Sequence, residues 1–162
     1  MSISNTRILG LDFGSRTIGV AVSDPFGWTA QGVCVLRRTH EDDLRENFDA
    51  LETYISQYGI GLFVLGYPKN MNNTEGPRCE KTRAFQKRLG KRFPNIPVVL
   101  QDERMSTISA ERSLLEANLS RKKRGQVIDM TAAIFILQHY LDAQAVRARA
   151  IAKETAQRQG EE

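Results

Sequence analysis

The first forty residues alternate between short apolar runs and polar turns. Residues 8–11 and 17–22 are apolar runs joined by a turn that contains Gly14, and residues 32–36 form a third run. Runs of this length bounded by turn residues are typical of β-strands, and a glycine-containing turn between two of them is typical of a hairpin. The pattern therefore predicts three strands that follow one another as a meander.

The rest of the chain alternates between helical and strand patterns. Apolar residues recur every three or four positions between His40 and Gln57, which predicts an amphipathic helix that Thr39 caps. Short apolar runs after that helix predict two buried strands. The later elements are a strand at 62–66, a basic helix at 78–93, a strand at 98–100, a helix from Ser106 or Thr107 to about Asn118, a loop at 120–125 and an apolar helix at 127–141.

This order of elements predicts an α/β fold with a mixed sheet, because a meander is followed by alternating helices and strands. The 162 residues suffice for one domain with a substantial core. We expect that domain to occupy residues 1–143 and a C-terminal helical extension to occupy residues 144–162. In such sheets, ligands bind at the carboxyl ends of parallel strands near a topological switch point.

Three acidic residues stand in apolar or otherwise special surroundings. Asp12 ends the first strand, Glu103 follows the last strand, and Asp129 interrupts an apolar run near the start of the last long helix. Ala132 and Ala133 share a helical face with that last acid, and small residues there let the helix approach the sheet closely. This arrangement allows three carboxylates on separate elements to converge at the strand ends.

Converging carboxylates repel one another and need a cation. Oxygen ligands without histidine or cysteine beside them suit Mg²⁺ or Mn²⁺. Two such ions about 4 Å apart can activate a water and stabilise the leaving oxygen in phosphodiester cleavage. A basic rim that holds backbone phosphates belongs to the same design. The candidates for this rim are Arg16, Lys69, Arg78, Arg104 and the cluster at 121–124, with Arg121 and Lys122.

Each of the acids also has a simpler interpretation. Asp12, just before a glycine-containing turn, is about as often a turn former as a ligand. Asp102 and Glu103 fit exposed loop acids, with Arg104 as their partner. Asp129 fits an acid that favours the positive end of a helix.

Aromatic and basic residues outside these motifs are interpreted structurally. Trp28 and Tyr67 have rings that can stack on nucleobases, but we treat each as isolated and predict that it packs against the protein. The basic residues Arg83, Lys87 and Lys91 lie four positions apart, which predicts a solvated helix face.

Composition and charge place limits on the partners. The net charge of +4 and the isoelectric point of about 9.3 permit a nucleic-acid partner without demanding one. The longest apolar run, at 132–137, is too short to span a bilayer, and the N-terminus lacks the apolar core of a signal peptide. Two cysteines without metal-ligand spacing are typical of reduced thiols. We therefore expect a cytoplasmic protein without a membrane partner.

Four motifs, taken together and in this order, are similar to those of the YqgF family, also called RuvX. This family comprises Holliday junction resolvase-like proteins and pre-ribosomal RNA nucleases. The resemblance covers nearly the whole chain. The motifs are Leu11-Asp12-Phe13-Gly14 with the segment 16–24, Gly66-Tyr67-Pro68-Lys69-Asn70-Met71, Asp102-Glu103-Arg104, and Asp129 with the segment 132–138.

The resemblance implies a ribonuclease H-like fold whose mixed five-stranded sheet has the order 3-2-1-4-5 and helices on both faces. It implies that Asp12, Glu103 and Asp129 are the catalytic acids and bind Mg²⁺ or Mn²⁺, with two ions expected. It also implies a metal-dependent endonuclease that matures the end of small-subunit ribosomal RNA, with structured RNA and ribosomal precursor particles as partners.

Three other functions stay open from the sequence. A Holliday junction resolvase would act on branched DNA, and it would need two active sites and hence a homodimer rather than a monomer. A non-catalytic RNA-binding or ribosome-assembly factor would use the same acids for a structural ion or for turns. An Asp-x-Gly hairpin also opens the phosphate-binding unit of actin-like ATPases, but 162 residues leave no room for their second lobe.

Overall fold

The fold is built on one sheet that contains all five described strands. The computed structural model describes residues 6–68, 75–102 and 121–160, and for residues 121–129 it describes the backbone. The elements are β1 (Arg7–Phe13), β2 (Thr17–Ser23), β3 (Ala30–Arg37), α1 (Arg45–Tyr58), β4 (Ile60–Tyr67), α2 (Pro77–Arg92), β5 (Val98–Asp102) and α3 (Arg121–Gly160).

The strands lie in the order β3-β2-β1-β4-β5, which confirms the order that the family resemblance implied. β1 is the central strand, antiparallel to β2 and parallel to β4, and β4 is in turn parallel to β5. The register pairs Leu11 with Leu65 and Tyr67 with Asp102. The carboxyl ends of the three parallel strands therefore meet at the same end of the sheet.

Helices cover both faces of the sheet, as the resemblance implied. α1 and α2 pack over a large apolar cluster that includes Leu11, Phe63 and Phe85, all of them fully buried. α3 packs on the other face over a smaller cluster that includes Val64 and Leu137. Each buried side chain of this size stabilises the fold by about 1.5–3 kcal/mol relative to leaving it exposed.

The first helix begins later than the hydrophobic pattern predicted. We expected His40 to begin it and Thr39 to cap it. Instead α1 begins at Arg45, and Leu44 lies at the N-cap position without a side-chain capping hydrogen bond. The preceding chain forms a turn, in which the backbone N–H of Asp43 donates to the carbonyl of His40 over 3.1 Å. This turn contains the acidic residues that the pattern assigned to the first helical turn.

The last helix begins earlier than predicted. We expected residues 120–125 to be a loop and the helix to run from Val127 to Leu141, but the backbone is helical from Arg121 onward. Arginine, lysine and glutamine favour helices intrinsically, so within this basic segment only Gly125 opposes the helix.

The other helix predictions have different outcomes. The predicted helical continuation beyond Asp142 is confirmed, because α3 extends to Gly160. The helix predicted to end near Asn118 lies outside the described residues. Across the ranges that the structure describes, no helix is both long enough and apolar enough to cross a bilayer.

Candidate active site

Asp12 lies near the carboxyl end of β1, on the sheet face that α3 covers. Alternate residues of a strand point to opposite faces. Leu9 and Leu11 belong to the cluster beneath α1 and α2, whereas Ile8 packs against the cluster beneath α3. Asp12 therefore belongs to the α3 face, where it is half-buried. Its backbone pairs with Gly19 inside the β1–β2 ladder, directly before the turn.

A close approach between β1 and α3 fixes the helix against this strand. A Cβ atom at Gly10 would lie 2.7 Å from Cβ of Leu137 and 3.1 Å from the carbonyl oxygen of Ala133. Only a hydrogen atom fits in that space. Ala132 and Ala133 are fully buried, so the prediction that small residues bring this helix close to the sheet is confirmed.

α3 runs in the opposite sense to β1. Ala30, at the start of β3, donates its backbone N–H to Oε1 of Gln138 over 2.9 Å. Gly32, two residues further along β3, lies beside Met130, two turns earlier in α3. β3 and β1 point the same way, because both are antiparallel to β2. The N-terminal part of α3, including the backbone of Asp129, therefore lies toward the carboxyl end of β1.

The β1–β2 turn, next to the candidate acid, is held by two arginines. Arg38 donates a hydrogen bond to the carbonyl of Gly14, and Arg78 donates one to the carbonyl of Phe13 over 3.0 Å. Both guanidinium groups lie over the Phe13 ring, at 4.6 and 5.3 Å from its centroid. The N–H of Gly14 also donates to the carbonyl of Thr17 over 2.8 Å. These contacts fix the backbone that follows the acid.

No sequence pattern singled out Arg38, although it supports this site directly. Its Nη1 atom is buried and has no hydrogen-bond partner among the described residues, and burial lowers the pKa of its guanidinium group. Its backbone N–H donates to the carbonyl of Arg16 over 2.9 Å. The register between β2 and β3 would have identified it. Arg37 pairs with Thr17, so the next residue, Arg38, must lie beside the β1–β2 turn. Arg38 is a positioning residue for that turn.

Glu41 balances the charge of this arginine cluster. Its Oε1 accepts a hydrogen bond from Nη1 of Arg78 over 2.6 Å, and its Oε2 lies 3.7 Å from Nζ of Lys81. Its backbone carbonyl accepts a hydrogen bond from Nε of Arg38 over 3.1 Å. The hydrogen bond from Arg78 and the neighbouring positive charges hold the pKa of Glu41 below its ordinary value of 4.5.

Replacing Glu41 with glutamine is expected to weaken the fold at neutral pH by up to about 1 kcal/mol, because a half-exposed ion pair is lost. Because the pKa of Glu41 is lowered on folding, the ionised Glu41 carboxylate stabilises the fold fully above pH 4.5. That stabilisation is lost as the pH falls through the lowered pKa. Urea unfolding at neutral pH and well below pH 4.5 measures the difference in free energy of unfolding between the wild type and the Glu41→Gln variant. Glu46→Gln, an exposed glutamate in the first turn of α1, is the control. An equal effect of both substitutions would contradict the role of the ion pair.

The predicted nucleic-acid contacts lie in several parts of the chain. Arg16 is exposed in the β1–β2 turn, as a phosphate contact should be. Arg78 is half-buried, and its charge is engaged by Glu41. Arg121 and Lys122 lie at the start of α3, in the segment described by its backbone. The predicted site residues outside the described residues are Lys69, Glu103 and Arg104.

The predicted cluster of three carboxylates stays a prediction. Asp102 is half-buried at the last position of β5, opposite Tyr67, so its interpretation as an exposed loop acid is wrong. Within the described parts of the chain, no three acidic, histidine or cysteine side chains lie close enough to hold a metal ion. Of the three predicted ligands, Asp12 is the one whose side chain is described, whereas Glu103 and the side chain of Asp129 are not.

The two aromatic residues singled out by sequence have opposite environments. Tyr67 is 5% exposed, and the Arg83 guanidinium lies 5.5 Å from its ring centroid, so the prediction that it packs is confirmed. Trp28 is 72% exposed, so the same prediction is wrong for this residue. It lies in the turn between β2 and β3, where its ring stacks on the exposed ring of Phe26.

Known proteins resemble this chain over most of its length. Residues 6–143 match a family model described as RuvX, Holliday junction resolvase. A protein of Staphylococcus aureus (strain JH9) named "Putative pre-16S rRNA nuclease" is 52% identical over 137 residues, which cover 85% of this chain and 96% of the relative. The structure of T. thermophilus RuvC in complex with Holliday junction substrate matches with a TM-score of 0.52 at 13% identity, over 86% of this chain and 96% of that chain. The structural match confirms the ribonuclease H-like fold.

Proposed function

Because this chain belongs to the RuvX family of nucleases, we propose that it is a divalent-metal-dependent endonuclease that processes the end of precursor 16S ribosomal RNA. Family membership makes the chain an enzyme that hydrolyses phosphodiester bonds. The observation that carries the proposal is the position of Asp12. This half-buried acid lies on the central strand, at the end of the sheet where β1, β4 and β5 finish and toward which the N-terminal part of α3 extends.

Chain positions support the convergence of the other two acids on Asp12. Glu103 directly follows β5, which lies two strand spacings, or about 10 Å, from β1. Asp129 precedes Ala133 by one helical turn, and Ala133 lies against Gly10 on the central strand. The three acids therefore come from elements that all reach the same end of the sheet.

The donor set fits Mg²⁺ or Mn²⁺, because all three proposed ligands are carboxylates. Asp12, Glu103 and Asp129 would hold two such ions, and the bound ions supply an activated water and stabilise charge at the leaving oxygen. The protein's own contribution is to hold Asp12 in one position before substrate arrives. The hydrogen bond from Arg78 to the β1–β2 turn and the close packing at Gly10 provide that rigidity.

Basic residues around this end of the sheet would hold the phosphates of the substrate. Arg16 is exposed in the β1–β2 turn, four residues after Asp12. Such contacts supply charge-based affinity and make binding weaken as salt rises. Arg78 contributes less than an unpaired arginine, because Glu41 balances its charge. The remaining proposed phosphate contacts are Lys69, Arg104, Arg121 and Lys122.

A four-way DNA junction is the second candidate substrate. Holliday junctions are named both in the description of the family and for the substrate bound to T. thermophilus RuvC. Resolving a junction requires two active sites and therefore a homodimer, whereas trimming an RNA end requires one. The relative named for RNA processing is 52% identical, whereas the resolvase complex at 13% identity informs about the fold alone. We therefore favour precursor ribosomal RNA.

A side-by-side cleavage assay tests this proposal. Precursor 16S RNA and a four-way DNA junction are incubated with the protein in Mg²⁺, in Mn²⁺ and in excess chelator. We expect a defined RNA product with either metal, no product with chelator, and restored cleavage when Mn²⁺ is added back. Cleavage of the junction and not of the RNA would instead identify the four-way DNA junction as the substrate. Undiminished RNA cleavage in chelator would contradict the metal-dependent mechanism.

A further inference from the structure

Two large aromatic rings are exposed side by side in the turn between β2 and β3. Phe26 is 74% exposed and Trp28 is 72% exposed, more than any other large hydrophobic residue in the part of the chain that the structure describes. Their rings stack on each other, with centroids 5.1 Å apart and planes inclined by 28°. Aromatic residues grouped on a surface in this way are typical of a site that binds a partner.

The turn holds these rings in a fixed arrangement. The Asp24 carboxylate accepts hydrogen bonds from the Trp28 backbone N–H over 2.8 Å and from Thr29 Oγ1 over 3.1 Å. Gly27 has a φ of 73°, in the left-handed region that favours glycine. Nε2 of Gln138 in α3 donates to the carbonyl of Trp28 over 2.9 Å. A surface whose backbone is already fixed loses little conformational freedom when a partner binds.

The charged groups that adjoin Trp28 are two carboxylates. Asp24 accepts the hydrogen bond from the Trp28 N–H, and Asp142 accepts one over 3.0 Å from the same Gln138 nitrogen that donates to the Trp28 carbonyl. The hydrogen bond from the Trp28 N–H holds the pKa of Asp24 below its ordinary value of 3.8, so this carboxylate is charged at neutral pH. The rings therefore lie beside two negative charges, which attract cations and repel phosphates.

Cations of the protein leave this acidic pair without an ion-pair partner among the described residues. Arg7, at the start of β1, lies over the Tyr58 ring, on the face that α1 and α2 cover. On the side of α3 that contains Asp142, the nearest cation is Arg149, two turns or about 10 Å further along. Residues 142–162 have four acids and four cations, so the extension as a whole has no net charge.

We propose that Phe26, Trp28, Asp24 and Asp142 form a docking surface for an arginine-containing segment of a basic partner protein. A guanidinium group stacks on aromatic rings and forms paired hydrogen bonds with carboxylates, so one side chain matches both components of this surface. A cavity of about 300 Å³ with an uncharged lining opens beside the rings and accommodates the apolar stem of the same side chain. A nucleic-acid strand fits less well, because both carboxylates would repel its phosphates.

The docking surface lies at the end of the molecule opposite the candidate active site. The N–H of Ile8 donates to Oγ of Ser23 over 2.8 Å, so the β2–β3 turn adjoins the amino end of the central strand. Four residues of β1, or about 13 Å, separate Ile8 from Asp12. Proteins that cover nucleic acids are rich in cations, which neutralise phosphates. The surface would thus hold the enzyme on the protein component of an RNA–protein particle, a role that rests on the proposed function.

The docking surface is tested with peptides that differ in one functional group. Gly-Arg-Leu-Arg-Gly, blocked at both ends, is compared with the same peptide in which citrulline replaces arginine, because citrulline keeps the shape and removes the charge. The protein has one tryptophan, so its fluorescence reports contact with Trp28 directly. We expect the arginine peptide to change that fluorescence, and a labelled form of it to bind about tenfold or more tightly than the citrulline peptide by anisotropy.

Matched variants assign the binding to the rings and the acids. Phe26→Ala/Trp28→Ala removes both rings, whereas Trp28→Phe keeps an aromatic ring. Asp142→Asn removes a charge and keeps an oxygen that accepts from Gln138, whereas Glu154→Gln removes an exposed charge 12 residues further along α3. We expect the double variant and Asp142→Asn to bind the arginine peptide about threefold or more weakly, and the other two to stay close to wild type. Melting temperatures confirm that all variants are folded.

Several results would overturn the docking surface. Equal binding of the arginine and citrulline peptides would do so, because apolar contact alone would then explain the binding. An equal effect of Asp142→Asn and Glu154→Gln would reduce the interaction to total charge. A change in Trp28 fluorescence on adding single-stranded oligouridine would assign the rings to nucleic acid instead. Self-association that Phe26→Ala/Trp28→Ala abolishes would assign them to a second copy of this chain.

The nuclease proposal can fail or hold independently of this inference, because the docking surface lies away from Asp12. We expect Phe26→Ala/Trp28→Ala to cleave protein-free precursor RNA at the wild-type rate. Cleavage of that RNA by a wild-type protein that does not bind the arginine peptide would overturn the docking surface alone. Binding of the arginine peptide without any RNA cleavage would overturn the proposed function alone.

Discussion

Asp12→Asn is expected to reduce RNA cleavage at least about 100-fold while the protein stays folded. Loss of a group that supports a metal ligand typically lowers metal affinity or activity 10–100-fold. Loss of a ligand itself should lower activity by at least the upper end of that range. Asparagine keeps the size of the side chain and removes its charge, so the packing of α3 against β1 is preserved. Single-turnover cleavage in saturating Mg²⁺ or Mn²⁺ measures the first effect, and thermal unfolding measures the second.

Asp49→Asn is the matched control for this substitution. Asp49 is exposed on α1, where it forms an ion pair with Arg92, and Glu52 forms a second ion pair with the same arginine. Its replacement should leave cleavage close to wild type and change stability by less than about 1 kcal/mol. If the Asp12 variant cleaved as fast as this control, the acid at the end of β1 would not be part of the catalytic centre.

Gly10→Ala is expected to destabilise the protein by about 1–3 kcal/mol, as overpacking in a tight core does. The new Cβ would lie 2.7 Å from Cβ of Leu137 and 3.1 Å from a backbone oxygen of α3. The Leu137 Cβ is fixed to the helix backbone, so the conflict is relieved only by moving α3. We also expect slower cleavage in the still-folded variant, because the same helix contains Asp129. Urea unfolding and single-turnover cleavage measure the two effects.

Two other glycines provide controls for the same substitution. Gly90 lies in α2, where a Cβ atom would have nothing within 4 Å, so Gly90→Ala should stabilise the helix by about 0.5–1 kcal/mol. Gly32→Ala should cost less than Gly10→Ala, because its nearest neighbours are atoms of the flexible Met130 side chain. A loss of stability at Gly90 equal to that at Gly10 would contradict the close approach of α3 as the cause.

The sheet could be predicted from sequence because its signals are local. Apolar runs and turns indicate the strands, and the motif resemblance supplied their order, which the structure confirms. The start of α1 could not be predicted, because the residues before it make contacts with distant parts of the chain. Glu41 pairs with Arg78, which is 37 residues away, and this contact outweighs the local preference for a helix that begins at His40.

The candidate site was predictable only in part, for the same reason. Asp12 was singled out because its strand ends in a recognisable motif, and its role as a metal ligand stays a prediction. Arg38 was not found, because its contact with the β1–β2 turn depends on the register between β2 and β3. The exposure of Trp28 was likewise missed, since a pattern of residue types does not show which way a turn presents its side chains.

The central position of β1 determines how strongly the candidate site resists local unfolding. Phe13, the neighbour of Asp12, stacks on Phe85 with ring centroids 4.3 Å apart, and β1 is paired with strands on both sides. Segments with so many buried contacts open only when the whole domain opens, whereas turns and helix ends open locally at little cost. Asp12 therefore belongs to the part of the molecule that unfolds last. Motions that admit substrate or release product must then occur around this acid rather than in the strand that carries it.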